Sequence, residues 1–223
     1  MAKKGLLVLV LAAVVAGGAF AQGFDIGGGF VFDGGRVGGM SASGQGASSS
    51  DYLRHTGFGG FLFVGASFAE LAIAFMGGPA TDQWEFSEGG VTESGSHSGS
   101  FTALDFSLAL KLPMPFSDNM TVFPMLGIGY NVVLASRDED GNDMFDSSDF
   151  SASDLSTFRI ALGGGADFAI NEGMFFRASV QGYYRFAPSL FRDAADEWNA
   201  FGVNADSHGG FGAIIRLAVG LRF

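Results

Sequence analysis

The sequence contains no cysteine, which excludes disulfide frameworks, thiol nucleophiles, thiolate zinc sites and cysteine-ligated clusters together. Charge is also sparse. Asp, Glu, Lys and Arg make up 16% of the 223 residues, against roughly 25% in an average soluble domain, so a water-facing surface would be underpopulated. Proline is scarce at 5, and the 36 glycines therefore belong neither to a collagen nor to a Pro-rich disordered chain. Beyond the N-terminal region no apolar run reaches about eighteen residues, which excludes helical membrane spans. Positive charge is the scarcest resource: the net charge is −11, which argues against nucleic acid as a partner.

What the chain has in excess is phenylalanine, 25 residues, and a mean hydropathy of +0.30. The first 21 residues read as a signal peptide. Lys3 and Lys4 form a positive start, Leu6 to Val15 is an apolar run too short to span a bilayer, and Ala19-Phe20-Ala21 is a small-x-small cleavage pattern. Cleavage after Ala21 would start the mature domain, 22–223, at Gln22 and leave ten basic residues against 23 acidic ones, a net −13. Lys111 is then the one remaining lysine, again unlike a soluble secreted protein.

The mature chain alternates with a period of two in eight segments, near 24–33, 56–68, 70–76, 101–111, 121–134, 157–170, 173–186 and 211–223. In the last, Phe211, Ala213, Ile215, Leu217, Val219, Leu221 and Phe223 oppose Gly212, Ile214, Arg216, Ala218, Gly220 and Arg222. In 56–68 the pattern is less clean, because Phe61 and Phe63 oppose Phe58, Leu62, Val64 and Phe68. The apolar face carries no charge in the clear segments, while the other face holds Gly, Ala, Ser, Asp and Arg. That is natural with lipid outside and a confined polar interior. Connections alternate in size: short at 69–70, 112–120 and 171–173, and near twenty polar residues at 34–55, 77–100, 135–156 and 187–208. Sixteen of the 23 acidic residues fall in these four long connections, which are expected to be loops on one rim. The predicted fold is all-β: an eight-stranded antiparallel up-and-down transmembrane β-barrel of one domain.

The early strand after the signal peptide and the terminal Arg216-Leu217-Ala218-Val219-Gly220-Leu221-Arg222-Phe223 resemble the small eight-stranded outer-membrane barrels of the OmpX, OmpW and OmpA-barrel type. The Gly-rich, Phe-rich and acidic-loop character also resembles small barrels of spirochaetes. No stretch matches an OmpW signature residue for residue. The resemblance implies an outer-membrane location, both termini on the periplasmic rim, and Phe223 as an assembly signal read by the barrel-assembly machinery, with periplasmic chaperones and outer-membrane lipid as further partners.

Asp25, Glu70, Asp105, Lys111, Arg159, Asp167, Arg177, Arg185, Arg216 and Arg222 are candidates for a lumen charge network. They either pair with one another in a filled interior or line a path for a small solute. Asp138-Glu139-Asp140-Gly141-Asn142-Asp143 has calcium-like oxygen spacing but lacks the glycine position and terminal glutamate of an EF-hand loop, so a solvated acidic loop is the plainer reading. His55, His97 and His208 all fall at long connections on one rim, either as a cluster or as unrelated exposed side chains. Gly95-Ser96-His97-Ser98-Gly99 reads as a flexible loop and not a nucleophile elbow. Gly27-Gly28-Gly29 and Gly163-Gly164-Gly165 open no helix and have no following lysine, so they read as sites of strand bending and close packing. No metal, cofactor or catalytic set is expected, nor an enzyme; a lipid enzyme is the distant third reading. The leading expectation is a narrow passive channel or carrier for a small solute, with Gly127, Gly129, Gly163, Gly165 and Gly220 leaving gaps in the lumen and Phe61, Phe63, Phe123, Phe175 and Tyr183 either lining or plugging it. The alternative is a structural or adhesin-like barrel acting through acidic loops.

Overall fold

A computed structural model describes residues 24–44, 46–66, 68–142 and 152–223. The expected signal peptide, 1–21, and its cleavage site lie outside the described residues, as does the stretch 143–151 within the third long connection. Among the described residues the strands are β1 (Phe24–Gly44), β2 (Ala47–Ala66), β3 (Ala69–Glu88), β4 (Val91–Lys111), β5 (Met114–Ser117), β6 (Met120–Arg137), β7 (Thr157–Ala169), β8 (Met174–Arg185) and β9 (Asn204–Arg222), with a 3-10 turn at Ala152–Leu155 and an α-helix, α1 (Ser189–Ala200), before the last strand.

Eight of these strands form a closed antiparallel ring. Each long strand pairs with its neighbours in sequence, β4 pairs with β6, and β1 closes on β9 with Asp25 opposite Arg222 and Phe32 opposite Ile215. Strand β5 is a four-residue appendage on the start of β6 at the short-turn rim. Closure leaves no sheet edge, the condition that lets strands cross lipid. At the seam Phe24 and Phe223 exchange backbone hydrogen bonds of 3.2 and 3.0 Å and stack their rings 4.8 Å apart.

The alternation sorts the side chains as the ring requires. Along β9, Phe211, Ile215, Leu217, Val219 and Leu221 are exposed, while Ile214, Arg216 and Ala218 are buried. The ambiguous β2 resolves the same way: Phe58, Leu62 and Val64 face outward and Phe61 and Phe63 fill the interior.

The long connections depart from expectation. Two of the four are not loops. Strands β1 and β2 stay paired, through one β-bulge between Arg36 and Gly38, to Gly44 opposite Ala47, and β3 and β4 stay in register to Glu88 opposite Val91. The second hairpin turns through Gly89 and Gly90, both at positive φ (58° and 85°), which suits a two-residue turn matched to strand twist. With 20 or 21 residues each, these strands far exceed the roughly ten needed to cross a bilayer and project beyond it as ribbons. Gly95 to Gly99 is accordingly strand β4, not a flexible loop. The fourth connection contains α1, whose Phe191 and Ala195 are buried. Ala195 packs with Ala42 and Ala205, against Met40 and Val203.

The centre of the lipid-facing stretch of β9 is Leu217, 45% exposed. Arginine there should lower stability in vesicles by about 2 to 4 kcal/mol, read from urea-induced unfolding of the refolded barrel. Tolerance equal to that of a site on the projecting ribbons would contradict the lipid-facing assignment.

Candidate functional site

The inward face of the ring carries five carboxylates and six cations in three tiers. At the short-turn end, Arg177 is forked onto Asp167 (Nε–Oδ1 2.6 Å, Nη2–Oδ2 2.7 Å), donates to Glu70, and reaches Asp25 at 3.3 Å. Lys111 Nζ lies 3.2 Å from the same Glu70, and Arg222 donates to Asp25 at 2.8 Å and to Asp167 at 3.2 Å. In the middle tier Arg159 makes a two-pronged contact with Asp105, one arm at 2.8 Å, while Arg216 donates to Ser107 at 3.0 Å and lies 3.8 Å from Asp105. In the upper tier Asp33 accepts from Arg185 at 2.6 Å and from the Tyr183 hydroxyl at 2.7 Å, with His55 Nε2 at 3.2 Å.

All ten residues singled out from the sequence lie within 4 Å of an opposite charge, nine of them buried and Arg222 half-exposed at the rim. Three participants were missed. Asp33 shares the inward face of β1 with Asp25, so alternation alone places it. Tyr183 is expected from the sequence to line or plug the lumen, not to join its charges, and Ser107 gives no signal. His55 was expected at a loop; it is instead buried beside Asp33 and edge-on to Phe101, ring centroids 5.3 Å apart. His55 and His208 border one hollow at the top of the ring, while His97 is exposed on the β3–β4 ribbon, so the three histidines do not form one cluster. The Asp138 run closes on itself: Asn142 N–H donates to Asp138 Oδ1 at 2.8 Å and Gly141 N–H to the Asp138 carbonyl at 3.1 Å. Asp143 lies outside the described residues.

The expected glycine gaps are occupied. A Cβ on Gly129 would stand 2.7 Å from the Arg159 guanidinium, on Gly165 2.7 Å from the Phe123 ring, and on Gly27 2.6 Å from the Phe63 ring, while one on Gly220 would collide with the Phe175 ring. Gly163 and Gly127 instead allow close approach of neighbouring backbone. Each glycine is a notch that receives a ring, a guanidinium or a strand. The rings in turn cover the cations: Arg177 lies 4.7 Å from the Phe63 centroid and 4.8 Å from that of Phe175, and Arg185 4.9 Å from that of Tyr183. Across the middle of the lumen Phe61, Phe63, Phe175, Tyr183, Met76, Ile214 and Arg159 are at most 4% exposed. Toward the ends lie hollows, one of about 350 Å³ at the short-turn rim, lined by Phe123 and Arg177 among others, and one of about 20 Å³ lined by Leu155, Val37, His55 and Phe101.

This architecture agrees with the match of residues 6–223 to the family described as outer membrane protein beta-barrel domain. The chain belongs to that family. Its barrel therefore sits in the outer membrane. Among curated protein sequences, none matches it. Similar solved structures are the outer membrane protein OprG from Pseudomonas aeruginosa (16% identity, covering 91% of this chain and 96% of that one, TM-score 0.44), the attachment invasion locus protein Ail of Yersinia pestis (14%, 91% and 99%, 0.36) and the outer membrane protease OmpT from Escherichia coli (7%, 90% and 97%, 0.48).

Two predictions come from these charges. Arg159→Met leaves Asp105 buried with only the distant Arg216 and should cost about 3 to 5 kcal/mol of barrel stability, whereas pairing it with Asp105→Leu should recover most of the loss; urea midpoints of the two refolded variants decide. Outside the membrane, on the β2–β3 ribbon, burial and the neighbouring Asp82 carboxylate raise the Asp51 pKa to about 7. The folded ribbon then holds a proton that the unfolded chain releases near pH 4, so its stability falls as pH rises from about 4 to about 7. Backbone hydrogen exchange, corrected for intrinsic rates, should show more protection for residues 48–54 at pH 5 than at pH 8, a difference that Asp51→Asn removes.

Proposed function

We propose that this protein is a closed barrel that works through its extracellular surface and does not pass solutes. The observation that carries this reading is the packed middle of the lumen, where rings seated in glycine notches and paired ions occupy the cross-section of an eight-stranded barrel, a ring size whose interior side chains just fill. The extracellular mouth is occupied as well. Pro188 and Phe191 lie over the glycine surface at Gly38, and Ser189 of α1 donates to the Asp154 carbonyl at 3.2 Å.

What remains for function is outside. The β3–β4 ribbon presents exposed Glu85, Glu88 and Glu93 together with exposed Phe86 and Val91, an acidic surface with apolar points that suits a cationic partner at the cell surface. The lumen ions then serve to hold the scaffold, and Phe223, which closes the seam on Phe24, serves in assembly. The channel reading keeps one observation, the hollow of about 350 Å³ at the periplasmic rim, but that hollow ends on Phe123 and Arg177.

Refolded barrels in planar bilayers should give no steady unit conductance, while Phe61→Gly with Phe175→Gly should open a measurable leak. Reproducible conductance from the unmodified chain, abolished by replacing Arg177, would favour the channel.

A further inference from the structure

We propose that the outer wall of the barrel, just above its extracellular aromatic belt, carries a binding site for an anionic lipid headgroup with a phosphomonoester, formed by Arg36, Arg54 and His208.

Strands β1 and β2 place Arg36 directly opposite Arg54. Both lie on the outward face, the face of Phe32 and Phe58. Like charges in such a cross-strand pair repel, yet among the described residues neither arginine forms an ion pair with a carboxylate. What lies between them is the Tyr52 ring, with the Arg36 guanidinium 4.1 Å and the Arg54 guanidinium 5.3 Å from its centroid. The ring holds both cations on one side of the barrel without neutralising either. This is notable in a chain with ten basic residues after Lys4, six of them spent on lumen carboxylates.

The two arginines border a recess of about 760 Å³ whose wall includes Gly34, Gly35 and Gly209. His208 lines it on the β9 side, and Thr56 adds a hydroxyl. A Cβ on Gly34 would meet nothing nearer than the Phe32 ring at 3.5 Å, so the hollow exists because side chains are missing there. Tyr184 and Phe211 form the membrane-side lining; their rings are 5.0 Å apart, and Phe186 and Phe158 continue the belt. A ligand in this recess meets guanidinium and imidazole donors at its head and aromatic rings at its tail. That polarity and depth match a lipid whose phosphate sits at the interface and whose acyl chains run down the barrel wall. A soluble anion would use only the upper half.

The test uses the refolded chain in phosphatidylcholine vesicles, plain or carrying a minor fraction of phosphatidate or of diacylglycerol, its dephosphorylated counterpart. Bound lipid stabilises the folded barrel. The Tm should rise with phosphatidate and not with diacylglycerol, and Arg36→Gln with Arg54→Gln should weaken the phosphatidate affinity about thirty-fold. In plain phosphatidylcholine this double variant should be no less stable than the parent, since it relieves the like-charge pair. Arg192→Gln, on α1, should leave the lipid response intact. If the glutamine pair fails to fold, Arg36→Lys with Arg54→Lys keeps the charge but loses the planar fork, and its response must shrink. An unchanged response in the arginine variants overturns the site. Inorganic phosphate added to plain phosphatidylcholine vesicles that raises the Tm as much as phosphatidate does overturns the lipid assignment in favour of a soluble anion.

Discussion

Everything in this molecule depends on closing the backbone. Lipid offers no partner for an unpaired N–H or C=O, so the sheet must meet itself, and it does so by pairing β1 with β9 and β4 with β6. With eight strands the circumference is small, and every second side chain is sent into a space barely wide enough to hold it. The glycine content follows from that geometry. Large inward groups can be kept only if a facing position gives up its Cβ, which is how Phe63 fits against Gly27, Phe123 against Gly165 and Arg159 against Gly129.

The same confinement determines the interior chemistry. A charge buried on the inward face has little access to water and finds an opposite charge within the lumen, on the neighbouring strand for Arg177 and Asp167 and on strands far apart in sequence for others: Arg185 and Asp33 are 152 residues apart, Arg177 and Glu70 107. Such pairs are weak evidence of net stability, because the desolvation of both ions opposes their attraction. Their stronger consequence is register. Sliding a strand by one residue would turn Arg177 or Asp105 out to lipid, so the ions penalise every alternative pairing of the ring.

How much of this the sequence disclosed follows from where each strand lies. In β7, β8 and β9 one face meets lipid and the other the lumen, and the contrast between Leu217 and Ala218 or Phe176 and Arg177 is visible in the residues alone. Along the outer ends of β3 and β4 most residues of both faces are exposed, hydrophobic alternation fades, and the stretches 34–55 and 77–100 look like loops although their backbone ladder continues. Helix α1 left a faint trace, Phe191, Ala195 and Trp198 at helical spacing, within a segment otherwise polar. The ten lumen ions were legible as inward-facing, because parity is local. Their partners were not, because pairing across a barrel depends on stagger that a single sequence does not display. The glycines misled for a related reason: a missing side chain reads as empty space until the residue opposite is known.

Charge is sorted along the barrel axis in a way that joins these observations. The periplasmic and middle tiers are paired ions, so they present little field outside. At the level where headgroups would lie, cations stand on the outer wall without carboxylate partners, and acids dominate the ribbons beyond them, at Glu85, Glu88 and Glu93. A barrel with the opposite order would set acidic side chains against lipid phosphates and would be pushed outward along its axis. The order found here attracts the headgroup plane and repels it further out, so the net acidity of the chain and its outward-facing arginines act together to fix how deep the ring sits.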